Sequence, residues 1–188
     1  MTVAESLTFV QQFEALAGDL LNAVDVVLCP PYTALWPVAK ALRGSRLQLG
    51  AQNVAPTADP ARTGEISAAL LADVGCRWVM LGHWEVRRCL GDDDEAVNRK
   101  VRLAFEAGLA PILLVGEARD DARDDPSPLE VALERQLARA GGLPGRASGA
   151  GGFCIRAGRR YRRERACVAR ARGGWLRRYA GLAERALG

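Results

Sequence analysis

The chain has 188 residues, 49% apolar and 26% charged, which suits one globular domain with a sizeable core and offers no apolar run of the roughly 18 residues that a membrane span needs. Its five cysteines are odd in number and form no CxxC pair, and there is a single histidine, so neither a disulfide framework nor a zinc site is expected. The net charge of +4 is uneven: Gly141–Gly188 holds 12 arginines, 2 glutamates and no lysine, which leaves residues 1–140 at −6.

The opening "MTVAESLTFVQQ" lacks the basic and long apolar regions of a secretory signal, so a cytoplasmic location is expected. Thr2 and Glu5 have capping-box spacing, which predicts a helix from there to about Leu21. Val26–Cys29 is a short apolar run stopped by Pro30 and Pro31, and reads as a buried strand. Helical spacing returns over Ala34–Leu42, where Pro37 is tolerable only near the first turn. Leu47–Asn53 is the next strand candidate. Gly64–Val74 is expected to be helical, with Ile66, Leu70 and Val74 on one face and Gly75 as its stop. Trp78–Leu81 reads as a strand. The acid run Asp92–Glu95 marks a further helix start and a solvated face; Val97, Val101, Ala104, Phe105 and Gly108 then line one side. Pro111–Val115 reads as another buried strand. Ser127, Pro128 and Glu130 open one more helix, to about Ala140.

The resulting alternation of helices with short, continuously apolar strands predicts a parallel α/β sheet with right-handed crossovers. An open doubly wound sheet and a barrel are equally compatible with it. After Gly141 the pattern stops. No strand comparable with the earlier ones is expected there, and only Trp175–Leu187 has weak helical spacing. Residues 141–188 therefore read as an Arg/Gly-rich tail, disordered or out of frame, behind a domain of residues 1–140.

No P-loop, GxGxxG, HExxH or GxSxG occurs. What remains is polar residues at strand ends: Gln52 and Asn53, His83 and Glu85, Gly116 and Glu117. Parallel α/β folds bind ligands outside the carboxyl ends of their strands. A lone histidine at such a place is more often structural than catalytic, but several polar strand ends in register raise the functional reading.

The stretches "VVLCPPYTALWPVA", "GAQNVAP", "ARTGEISAALLADVGCRWVMLGH" and "VNRKVRLAFEAGLAPILLVGE" resemble the triosephosphate isomerase family, in order and spacing, from about Val26 to Glu117. The resemblance implies a (β/α)8 barrel, of which about four βα units and an N-terminal helix are recognisable. It implies interconversion of glyceraldehyde 3-phosphate and dihydroxyacetone phosphate by proton transfer through an enediolate, without cofactor; this family is itself the standing example of such acid–base tuning. His83 matches the electrophilic histidine, and Glu85 matches a glutamate that supports the site lysine. Gln52, Asn53, Thr63, Gly64 and Glu65 match the loop that reaches the partner subunit's site, so a homodimer is implied.

The sequence also departs from the family. Trp84 stands for the serine of Gly-His-Ser-Glu-Arg-Arg, Val86 for its first arginine, and Leu114 for a cysteine in the fifth strand. The catalytic lysine has no counterpart, since Lys40 and Lys100 both fall in helices. No Tyr-Glu-Pro-Val-Trp occurs, so the glutamate base and the lid are absent, as are the late glycine-rich phosphate loops. A full barrel takes about 250 residues. One expectation is a frameshift between about Ala140 and Arg165: Arg165–Ala169 can be back-translated so that a one-base shift reads Glu-Pro-Val-Trp. Sequencing the gene tests this, and an intact frame with no shifted homology rejects it. The alternative function is a non-catalytic fragment or a binding module whose basic tail holds nucleic acid or an acidic partner; no RNA-binding motif supports it.

Overall fold

The first helix starts where the spacing predicts. The Thr2 hydroxyl accepts the Glu5 amide, and the Glu5 carboxylate accepts the Thr2 amide, so helix α1 (Val3–Ala17) begins with orphan donors satisfied. It ends at Gly18, earlier than Leu21, and a short α2 (Leu20–Ala23) follows. These observations come from a computed structural model that describes residues 1–59, 61–115 and 154–157.

Strands β1 (Val27–Leu28), β2 (Gln48–Ala51), β3 (Trp78–Leu81), β4 (Ala110–Val115) and β5 (Cys154–Ala157) form one sheet in that order, every neighbouring pair parallel. The register sets Leu28 beside Leu49, Ala51 beside Val79, and Leu81 beside Leu113. Between strands lie a 3-10 turn (Tyr32–Ala34) with α3 (Leu35–Ala41), then α4 (Ala68–Val74), then α5 (Trp84–Leu90) with α6 (Asp94–Glu106). Each crossover moves on to the next strand without reversing. A doubly wound sheet reverses at its switch point, whereas a barrel does not.

The two faces of the sheet are unlike. Leu49, Ala51, Val79, Leu81 and Leu113 pack with Val10 of α1, Val38 of α3, Leu71 of α4, and Val97 and Val101 of α6. Alternation sends Val27, Trp78, Met80, Ala110 and Ile112 to the opposite face, in a second, smaller cluster. On that face the Trp78 indole N–H donates to Gln48 Oε1 at 2.6 Å. Gly50 is needed there: a Cβ would lie 2.7 Å from Cys29 Sγ and 2.9 Å from Val27 Cγ1. Helices on one side and strand side chains filling the other is the layering of a barrel wall.

Three further expectations change. Helix α4 starts at Ala68, because the Ser67 hydroxyl accepts the Leu70 amide and caps it; Leu71, not Leu70, is its buried leucine. The acid run does not form one solvated face. Asp93 caps α6 by accepting the Ala96 amide, while Asp92 is buried. A strand, β5, does exist after Gly141, paired with β4 from Ile112–Cys154 to Val115–Ala157. Its two apolar residues before Arg156 give no local signal; the strand is defined by backbone pairing to a segment far away in sequence. Gly116, Glu117, the helix expected at Ser127–Ala140 and the weak helical spacing at Trp175–Leu187 lie outside the described residues.

Candidate functional site

The site grows from the turn that follows β3. Gly82 has φ +77°, and a Cβ on it would lie 2.7 Å from the Leu114 carbonyl oxygen, so only glycine fits between β3 and β4. His83 comes next, with φ −59° and ψ 137°, and acts as the N-cap of α5. Its Nδ1 accepts the Glu85 backbone N–H at 3.3 Å, the role a serine or aspartate oxygen usually fills. A ring nitrogen that accepts carries no proton, so the proton of the neutral ring sits on Nε2 and is free to be donated. The Glu85 carboxylate lies 3.6 Å from the same Nδ1, with its side chain 63% exposed. At that distance and exposure the carboxylate is a screened neighbour, and the amide contact decides the tautomer.

Behind this turn the Arg87 charge is paired. The Arg87 guanidinium donates through Nε to the Gly82 carbonyl at 3.2 Å and through one terminal nitrogen to Asp94 at 2.8 Å. The Trp84 ring lies 6.2 Å from the His83 ring, so the departure from serine does put an indole beside the histidine.

The other sequence-predicted residues occupy the carboxyl end of β2. The exposed Gln52 donates to the Cys29 carbonyl at 3.0 Å, tying the end of β2 to the end of β1. Half-buried Asn53 accepts from Lys100 Nζ at 3.0 Å. Thr63, Gly64 and Glu65 are exposed, on a loop closed at its base by the Ala55 amide donating to the Ile66 carbonyl. His83 and Glu85 are thus brought together, Gln52 and Asn53 are braced from neighbouring elements, and the Thr63–Glu65 segment is exposed.

Sequence reasoning missed two features. Lys100 looked like one more helix residue, yet it is 2% exposed and its ammonium meets Asp92 at 2.5 Å as well as Asn53. Arg87 looked like one of two basic residues behind the histidine. The only available signal was the spacing of Lys100 to Asp92 and Arg87 to Asp94, which spans an element boundary and so lacks helical geometry. Burial raises the Cys29 thiol to about 12, with Cys76 adding to it, and raises Cys76 to about 11, so both sit as neutral thiols at physiological pH. Among the described residues no cluster of histidine, cysteine and acids could hold a metal, and no helix is long and apolar enough to cross a membrane.

A sheet of parallel strands with helices on one face and a histidine-capped turn at a strand's carboxyl end defines a (β/α)8-barrel type of enzyme fold. The chain belongs to the triosephosphate isomerase family: the family model of that description matches residues 1–142. It is 50% identical over 101 residues to the triosephosphate isomerase of Symbiobacterium thermophilum, covering 54% of this chain and 40% of that protein. It is 44% identical over 138 residues to that of Gloeothece citriformis, covering 73% and 56%. The crystal structure of triosephosphate isomerase from Bartonella henselae superposes with a TM-score of 0.69 at 29% identity, over 81% of this chain and 61% of that one. The chain spans about half the length of the curated relatives it matches.

Proposed function

We propose that this chain carries the electrophilic part of a triosephosphate isomerase site, with His83 as the hydrogen-bond donor to the substrate's carbonyl oxygen. The observation that carries this reading is the Glu85 amide bonded to His83 Nδ1, which leaves Nε2–H as the donor. In the isomerisation of glyceraldehyde 3-phosphate to dihydroxyacetone phosphate, a proton leaves the carbon beside the carbonyl and returns to its neighbour. Negative charge builds on the oxygens in between, and a fixed N–H aimed at them stabilises it. Glu85 has a supporting role: its amide sets the tautomer, and its carboxylate lies beside the ring. The reaction takes a small phosphorylated triose and needs no cofactor or metal.

The sequence offers no counterpart of the glutamate base or the catalytic lysine. Loss of a general base alone typically removes about 10²–10⁴-fold in rate. In a coupled assay with glyceraldehyde 3-phosphate the chain should therefore turn over far below a complete isomerase. Robust turnover that His83→Ala abolishes would refute that expectation. A readout that needs no turnover is the His83 ring resonance during titration with dihydroxyacetone phosphate. The resonance should shift with saturation; a ring signal that stays put refutes the substrate reading. Exposure of the Thr63–Glu65 loop, which matches the family's loop to the partner subunit, supports association into a homodimer. A cytoplasmic address fits a glycolytic reaction of this kind.

A further inference from the structure

We propose that Arg87 is the positioning residue for His83, clamping the peptide units on both sides of it. The backbone N–H of Arg87 donates to the His83 carbonyl at 3.0 Å. Its side-chain Nε donates to the Gly82 carbonyl at 3.2 Å. These two carbonyls belong to the peptide planes before and after the His83 Cα, and the orientation of those planes is what φ and ψ of His83 measure. One residue therefore holds both torsions. The guanidinium is in turn fixed from a different element, because Asp94 in the first turn of α6 accepts from it at 2.8 Å. Both side chains are sheltered, at 25% and 22% exposure. The guanidinium packs against this turn, within 3.5 Å of where a Cβ on Gly82 would lie.

A planar fork suits this task. Arginine spreads its donors over three nitrogens of a rigid plane, so Nε can meet a carbonyl while a terminal nitrogen meets a carboxylate, whereas an ammonium places all its donors on one nitrogen. With the backbone of His83 held in this way, the Glu85 amide can meet Nδ1, and the ring keeps one tautomer. The clamp lends the isomerase reading its fixed donor and rests on that reading for its purpose. Its test, however, uses the free protein and no substrate, so the two can fail separately.

The full chain has one histidine, so its ring nitrogens give an unambiguous 15N signal. The wild type should show the Nε2–H tautomer. Arg87→Met should move both ring nitrogens toward the averaged values of free histidine and raise exchange of the Glu85 amide by roughly five- to tenfold, the loss of one ordinary hydrogen bond. Arg87→Lys and Asp94→Asn should move them partway. Arg99→Met, which breaks an exposed pair with Glu95 on the same helix, should leave them in place. The Trp78 indole resonance reports whether the sheet is intact. Should Arg87→Met lose that signal, the two milder variants decide. Unmoved His83 resonances in variants that keep the Trp78 signal overturn the proposal, as does a wild-type ring that already shows averaged values.

Discussion

Asp92→Ala is expected to cost about 3–5 kcal/mol of folding stability, the range for breaking a buried ion pair from one side. Lys100 is 2% exposed and Asp92 9%, so neither charge can turn to water when its partner goes. Among the described residues, the lysine would keep only Asn53 as an acceptor. Urea unfolding followed by tryptophan fluorescence measures the loss as a lower midpoint. The double variant Asp92→Leu with Lys100→Met should regain most of it, because the cost lies in an uncompensated charge and not in the absence of the pair. The residual deficit should be about 1 kcal/mol, from the Asn53 side chain that loses its donor. An Asp92→Ala midpoint equal to wild type would show that the pair does not hold this end of the sheet. The placement matters for the site: the three residues come from the loop after β2, the turn before α6, and α6 itself. One buried ammonium therefore fixes the height of the β2 strand end relative to the element that also supplies Asp94.

Gly82→Ala should cost roughly 2–4 kcal/mol, and Gly64→Ala only about 1 kcal/mol, although the two glycines have nearly the same backbone angle. Their φ values are +77° and +84°. At Gly64 an added Cβ meets nothing within 4 Å, so the change carries only the strain of a left-handed residue. At Gly82 the same Cβ falls 2.7 Å from the Leu114 carbonyl, and a strand backbone cannot yield as a flexible side chain would. Relief would require the turn to move away from β4, carrying His83 with it. Matched urea titrations of the two variants give the comparison, and equal losses would reject the steric account. The His83 ring signal should also broaden in Gly82→Ala and stay sharp in Gly64→Ala.

The sequence carried its own punctuation. The Thr2–Glu5 box, the double proline after Cys29 and Gly75 at the end of α4 are local devices. Each works through contacts a few residues apart, and each is found where its spacing predicts. Short, mainly apolar runs announced β1, β3 and β4 for a similar reason, since a strand covered on both faces is apolar at nearly every position, while β2 keeps a polar Gln48 that the Trp78 indole satisfies. The strand β5 had no such run. It exists through hydrogen bonds to β4, which no window around Cys154 contains.

The candidate site divides along the same line. His83 was legible because it follows an apolar run and its family motif is contiguous; that it caps a helix, α5, was not read from the sequence. The sequence by itself determined the alternation of elements, the family, and the position of His83 and Glu85 at a strand's carboxyl end. Only the tertiary structure decided the remainder. It showed that the strands advance without reversal, as in a barrel. It turned an acid run into three different jobs, with Asp92 buried against Lys100, Asp93 capping α6 and Asp94 holding Arg87. The physical reason is the range of the interactions. Caps, turns and periodicity act within one or two turns of chain, whereas the partner of a buried charge and the neighbour of a strand are set by how separate elements pack.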